Sequence, residues 1–172
     1  MCQYEKGNID AIILTHAKVS QTIMFGEIHD TVLAGTPAPV GDSLYVVSLL
    51  PSLRTIGYKY LALEVDKQAL KPGHSFDMVR FYEAYRQGKA VIESGYLHAK
   101  PGWIGLMRSA MNADYKIRFI DVAARRSTAH SHRDREMFEN LKKEIFDRDP
   151  EAKVIVYIGA NHIGEQPTRA GI

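Results

Sequence analysis

The chain has 172 residues, 45% of them hydrophobic and 24% charged, enough for one sizeable core and too few for two, so a single domain over residues 1–172 is expected. A formal net charge of +2, with both signs mixed along the chain, gives no reason to expect a nucleic-acid partner. No apolar stretch approaches a membrane span, no basic N-terminal segment leads into an apolar run, and the single Cys2 excludes an internal disulfide, so a cytoplasmic protein is expected.

In chain order, Asn8 can cap a helix whose apolar positions Ile9, Ile12 and Ile13 follow the spacing of one helical face. The run from Thr22 to Phe25 reads as a strand that ends in Gly26-Glu27-Ile28-His29-Asp30, and Gly35, Pro37, Pro39 and Gly41 then make an unpatterned loop. Asp42 or Ser43 caps the next helix, with Leu44, Val47 and Leu50 on one face; Pro51 either kinks it or begins a second piece that stops at Gly57. A second strand, Tyr60 to Leu63, ends in Glu64-Val65-Asp66.

Between residues 67 and 101 the texture changes to turns, a short amphipathic helix marked by Phe76, Val79, Tyr82 and Tyr85, and a glycine-punctuated stretch. This predicts a small helical insertion over the carboxyl edge of the sheet. Gly102 to Asp114 is a helix whose Trp103, Ile104, Met107, Ala110 and Met111 belong to the core, and it leads to a third strand, Ile117 to Ile120, ending at Asp121. Arg125 and Arg126 open a polar loop. Ser131 caps a helix in which Asp134, Met137, Phe138, Leu141 and Ile145 share a stripe, so Asp134 faces inward near the positive helix end. The fourth strand, Lys153 to Ile158, runs into Gly159-Ala160-Asn161-His162 and repeats the Gly-x-x-His ending of the first.

Strands alternating with helices predict a three-layer α/β fold, its mainly parallel sheet flanked by helices. In such sheets ligands bind beyond the carboxyl ends of the strands, the edge where Glu27, His29, Glu64, Asp121, Asn161 and His162 all fall. Two imidazoles with carboxylates suit a divalent metal, Zn, Mn or Fe, or an acid–base site without one. Glu64 taken alone could equally cap a helix or pair with Arg125 or Arg126. Asp121 fits loop organisation better than chemistry, and His74, His98, His130 and His132 are placed in loops or at a helix start. The cluster Arg133-Asp134-Arg135-Glu136 on its own is a solvated helix start, which only the apolar stripe lifts for Asp134.

At these positions the chain resembles the α/β superfamily of ChaN-like haem-binding lipoproteins, erythromycin esterases, and TraB and Tiki proteins. Gly26-Glu27-Ile28-His29-Asp30 is similar to its Gly-Glu-x-His signature and Leu63-Glu64 to its second-strand glutamate. Arg133-Asp134 with Met137 is similar to its Arg-Asp-x-x-Met helix, and Gly159-x-x-His162 to its closing motif. The resemblance implies a pocket lined by Glu27, His29, Glu64, Asp134 and His162, in which family members hydrolyse esters or peptides, with metal in some branches, or bind haem.

The resulting expectation is a hydrolase of an ester or peptide bond in a small-molecule substrate. A divalent metal held by His29 and His162, with Glu27 or Glu64, polarises a carbonyl and activates water while Asp134 orients a ligand. Without metal, His29 becomes the general base and Glu27 or Glu64 its partner. The alternative is a haem- or small-ligand-binding protein without catalysis, to which Tyr82, Tyr85, Tyr96 and Trp103 lend aromatic surface.

Overall fold

Four runs rich in β-branched and aromatic residues become strands because each supplies apolar side chains to both faces of the sheet at once. They are β1 (Thr22–Glu27), β2 (Tyr58–Asp66), β3 (Lys116–Asp121) and β4 (Lys153–Gly159). The computed structural model describes residues 6–27, 41–66, 79–80, 82–84, 86–87, 101–121 and 130–163. The strands lie in the order β1-β4-β2-β3, and every pairing is parallel, so all four carboxyl ends reach one edge. With helices on both faces, this is the expected three-layer α/β architecture.

The period of two along each strand sorts residues between the layers. Leu61 and Leu63 of β2, Ile155 and Tyr157 of β4, and Ile117 and Phe119 of β3 face a core completed by three helices: α1 (Lys6–Val19), α2 (Gly41–Ile56) and α3 (Pro101–Asn112). Ala17, Leu50, Leu53, Leu106 and Met107 fill it. Tyr60 and Ala62 of β2, with Val154, Val156 and Ile158 of β4, face the opposite way, against Met137 and Leu141 of α4 (His130–Leu141) and Ile145 just beyond it. Glu64, two residues after Ala62, has the parity of this second face.

Several boundaries differ from the sequence expectation. The first helix begins at Lys6, ahead of Asn8. Pro51 interrupts nothing: its missing N–H removes one bond to the Val47 carbonyl, on an exposed position of a helix that continues to Ile56. Gly57 then takes φ of +108°, which lets the chain turn straight into β2. The last turn after α4 widens over Lys142–Phe146, with Asp147 N–H reaching back to the Lys142 carbonyl at 2.9 Å, and Ile145 stays buried. Of the insertion expected over residues 67–101, only residues 79–80, 82–84, 86–87 and 101 are described; residues 79–80, 82–84 and 86 are helical, and Tyr82 meets Phe119 edge-on at 5.4 Å.

No helix among the described residues is long and apolar enough to cross a membrane.

Candidate functional site

The carboxyl edge on the α4 face holds a buried polar cluster built by three elements. β2 delivers Glu64, whose side chain is 4% exposed. β3 delivers Asp121 as its last residue. A short 3-10 turn, Ala160–His162, follows β4 directly and swings His162 back over the sheet edge. That turn lies close against β1: a Cβ built on Gly26 would stand 3.0 Å from Ala160 Cα, so glycine is the residue that permits the approach.

Arg133, on the first turns of α4, ties the cluster together. Its Nη2 donates to Glu64 Oε1 and to Asp121 Oδ2, both at 2.6 Å, and its Nε donates to Asp121 Oδ1 at 2.9 Å. The hydrogen bond to Asp121 holds the guanidinium charged beyond its ordinary range; burial opposes this, and the charges of Asp121 and Glu64 reinforce it. The other oxygen of Glu64 accepts the Gly159 N–H at 2.6 Å. The glutamate is therefore gripped by the backbone end of β4 and by a cation from α4.

His162 occupies the remaining side. Its ring is 7% exposed, Nδ1 lies 2.5 Å from Asp134 Oδ1, and Nε2 lies 3.4 Å from Glu64 Oε1. A carboxylate can only accept, so the Asp134 contact calls for a proton on Nδ1, while Nε2 faces the Glu64 carboxylate. Asp134 itself is half-exposed at 44%, open on the side away from the ring.

The sequence-predicted residues divide among three places. Glu64, Asp134 and His162 come together, joined by Asp121. Glu27 does not join them: it is in register with Gly159 at the same edge, but its parity is that of Ile23 and Phe25, and it accepts a hydrogen bond from Trp103 Nε1 of α3, on the other face of the sheet. His29 lies outside the described residues, as do Arg125 and Arg126, and the side chain of Asn161 is likewise not described. Arg133 is the functional residue that sequence reasoning missed. Its signal was the four-residue spacing Arg133, Met137, Leu141, which is the buried stripe; Phe138, assigned to that stripe, is 61% exposed.

The described residues do not assemble the expected divalent-metal centre, one of whose ligands, His29, lies outside them. Among the described residues no group of three or more His, Cys, Asp or Glu could hold a metal ion. The positive charge between Glu64 and Asp121 is the Arg133 guanidinium, which uses the oxygens a metal would need. The aromatics offered for the haem alternative pack into or against the core where described. Trp103 is buried and packs edge-on against Tyr157 at 5.2 Å, and Tyr82 packs against Phe119. Tyr85 and Tyr96 lie outside the described residues.

The class defined so far is a parallel α/β domain with a histidine held by carboxylates at the carboxyl edge. No protein-family model matches the chain, and no curated protein matches it. Among solved structures it is similar to the type III effector HopBA1, at 15% identity and a TM-score of 0.57, covering 91% of this chain and 74% of that one. It is similar to the Pasteurella multocida toxin, whose C-terminal region holds a thiol-protease-like catalytic triad, at 13% identity and a TM-score of 0.54, over 92% of this chain and 21% of the toxin chain. It is also similar to RRSP, a MARTX toxin effector domain from Vibrio vulnificus CMCP6, at 18% identity and a TM-score of 0.54, over 88% of this chain and 30% of that one. Likeness at these identities shows the fold.

These neighbours are effector and toxin proteins rather than haem-carrying lipoproteins or erythromycin esterases, so the resemblance drawn from four short motifs is corrected, and with it the ChaN- or esterase-type hydrolase it implied. The motif positions that are described mark a strand end, a helix start and a turn that this architecture needs, and short motifs of that kind track a fold better than a function.

Proposed function

We propose that the chain is a peptide-bond hydrolase domain of the bacterial effector type, with His162 as its proton-transfer residue and Asp134 as the group that positions it. The likeness in fold to effector and toxin proteins, one of them with a protease-like triad, supports the class. The observation that carries the reading is the His162 ring, buried at 7% exposure, with Nδ1 bonded to Asp134 and Nε2 turned toward Glu64. An imidazole held in orientation by a carboxylate is how proteins prepare a general base.

In the proposed reaction a water molecule attacks the carbonyl carbon of a substrate amide while His162 Nε2 takes one of its protons. The C–N bond then breaks, and the proton passes from Nε2 to the departing nitrogen, giving a carboxylic acid and an amine. The imidazolium formed in between faces Glu64 at 3.4 Å and Asp134 at 2.5 Å, so both carboxylates favour the charged intermediate state of the ring. Arg133 and the Gly159 N–H keep Glu64 in place without handling the travelling proton.

The test is an unbiased one: the protein is incubated with a eukaryotic cell extract and newly formed amino termini are identified by mass spectrometry. The native chain should generate a reproducible set of new termini, and His162→Ala and Asp134→Asn should reduce them by about a hundredfold or more, the usual contribution of a general base. Equal sets from native and variant proteins would exclude the proposal.

A further inference from the structure

Beside the polar cluster lies a groove of about 300 Å³ between α4 and the β1 side of the sheet. Met24, Val156 and Ile158 form its floor, and Met137, Phe138 and Leu141 form one wall. Nearly all its lining is apolar, and apart from Thr22 its polar side chains are Asp134 and His162. The groove exists because β1 is the edge strand on a face where α4 packs over Ile120 and β4, which leaves Met24 46% exposed and Phe138 61% exposed.

We infer that this groove is the specificity pocket of the proposed hydrolase and takes one large apolar side chain, of leucine or phenylalanine size, from the residue next to the bond being cut. The inference rests on the proton-transfer reading of His162 and goes further by naming the substrate class. Three features point to that occupant. The volume sits at the low end of small-ligand pockets, which suits a single side chain better than a cofactor. Away from the end formed by Asp134 and His162 the lining offers no charge, so a charged group seated between Met24 and Phe138 would be desolvated without a partner. The groove is continuous with the imidazole: a side chain seated between Met24 and Phe138 carries its own backbone toward Asp134 and His162, where the amide must lie for reaction.

The two exposed groove residues make the test direct. The protein labelled with [13C]methyl-methionine is titrated with N-acetyl-phenylalaninamide and, separately, N-acetyl-alaninamide. The Met24 and Met137 methyl signals should shift with the phenylalanine compound at a concentration at least tenfold lower than with the alanine compound, while Met107, buried in the opposite core, should stay still. Met24→Trp fills the groove and should abolish the Met137 shift. Phe138→Ala, at an exposed position that does not threaten folding, should weaken it. New termini released from the cell extract should be enriched in Leu, Phe, Met or Ile beside the cut, and Met24→Trp should erase the enrichment.

Absence of methyl shifts, equal response to both compounds, or Met24 shifts that grow with protein concentration alone, as a second copy on the groove would give, each overturns the inference. The two readings fail separately. If the shifts appear but His162→Ala still cleaves, the pocket stands and the proton-transfer reading falls. If His162→Ala is inactive but no shift appears, the pocket inference alone is wrong.

Discussion

Replacing Arg133 by methionine keeps the apolar stem of the side chain and removes the guanidinium that bridges Glu64 and Asp121. The side chains of these carboxylates are 4% and 8% exposed, and both lie 2.6 Å from the same guanidinium nitrogen. Breaking a buried pair from one side costs about 3–5 kcal/mol, because the partner is left charged and dry. Arg133 is 26% exposed, so water relieves part of that loss and about 3 kcal/mol is the value to expect. For a chain of this size each kcal/mol moves the midpoint by about 2–4 °C, which gives a fall in Tm of about 6–12 °C at neutral pH.

The pH dependence has a definite sign. Arg133 has its ionisation raised in the fold, so its contribution is complete below its ordinary range and is lost only in strong alkali; it is constant across neutral pH. In Arg133→Met the like charges of Glu64 and Asp121 face each other without the guanidinium, so the deficit against the native protein is full at pH 7. Adding Glu64→Gln to Arg133→Met keeps an acceptor for the Gly159 N–H while deleting a charge, and should restore about 1–3 kcal/mol as a coupling energy. Thermal melting of the four proteins across pH measures all of this. A loss below about 1 kcal/mol, not rescued by Glu64→Gln, would refute the description of the cluster as buried and mutually dependent.

Other outcomes follow from single contacts. Gly102→Ala places a Cβ 2.5 Å from the Oγ of buried Ser43, where α3 crosses α2, so it should cost about 1–3 kcal/mol in denaturant unfolding, and Ser43→Gly in the same chain should recover most of the loss. Tyr45 has its hydroxyl ionisation pushed up to about 12, by burial first and then by its hydrogen bond to Asp10, so its stabilisation is present below pH 10 and lost as pH rises through about 12. Tyr45→Phe should therefore flatten the alkaline limb of a stability–pH curve followed by melting. Gly26→Ala crowds Ala160 Cα at 3.0 Å and Ile163 Cδ1 at 3.1 Å, and should lower cleavage by the proposed hydrolase more than it lowers Tm, since the 3-10 turn it pushes carries His162.

What could be read in the sequence followed from burial. Val154 to Ile158 is an unbroken apolar run because β4 is a central strand covered on both faces. The carboxyl-edge placement of Glu64 and His162 followed from the strands being parallel. What was hidden depended on parity and on one residue of helical rotation. Glu27 and Glu64 end neighbouring stretches of sequence pattern in the same way, yet Glu27 points to α3 and Glu64 to α4, and only the exact strand limits decide which. Likewise the helix stripe was drawn through Asp134 and Phe138 along with Met137, Leu141 and Ile145, whereas Phe138 is exposed and Arg133 shares the side of Met137 and Leu141, so Arg133 looked like a solvated charge instead of the cation of the cluster. The ring of His162 was also expected to face an open crevice. At 7% exposure it is enclosed, so His162→Ala should cost about 1–3 kcal/mol of stability by leaving Asp134 and Glu64 without that partner.

Because that variant is destabilised, the most direct test of the account compares cleavage per folded molecule. The rate at which new amino termini appear in a cell extract is measured for the native protein and His162→Ala at a temperature where both are fully folded by circular dichroism. The account predicts a fall of about a hundredfold or more for His162→Ala with the fold retained. An unchanged rate would show that the buried histidine only anchors α4 to the sheet, and would contradict the assignment of this edge as the place where the chemistry happens.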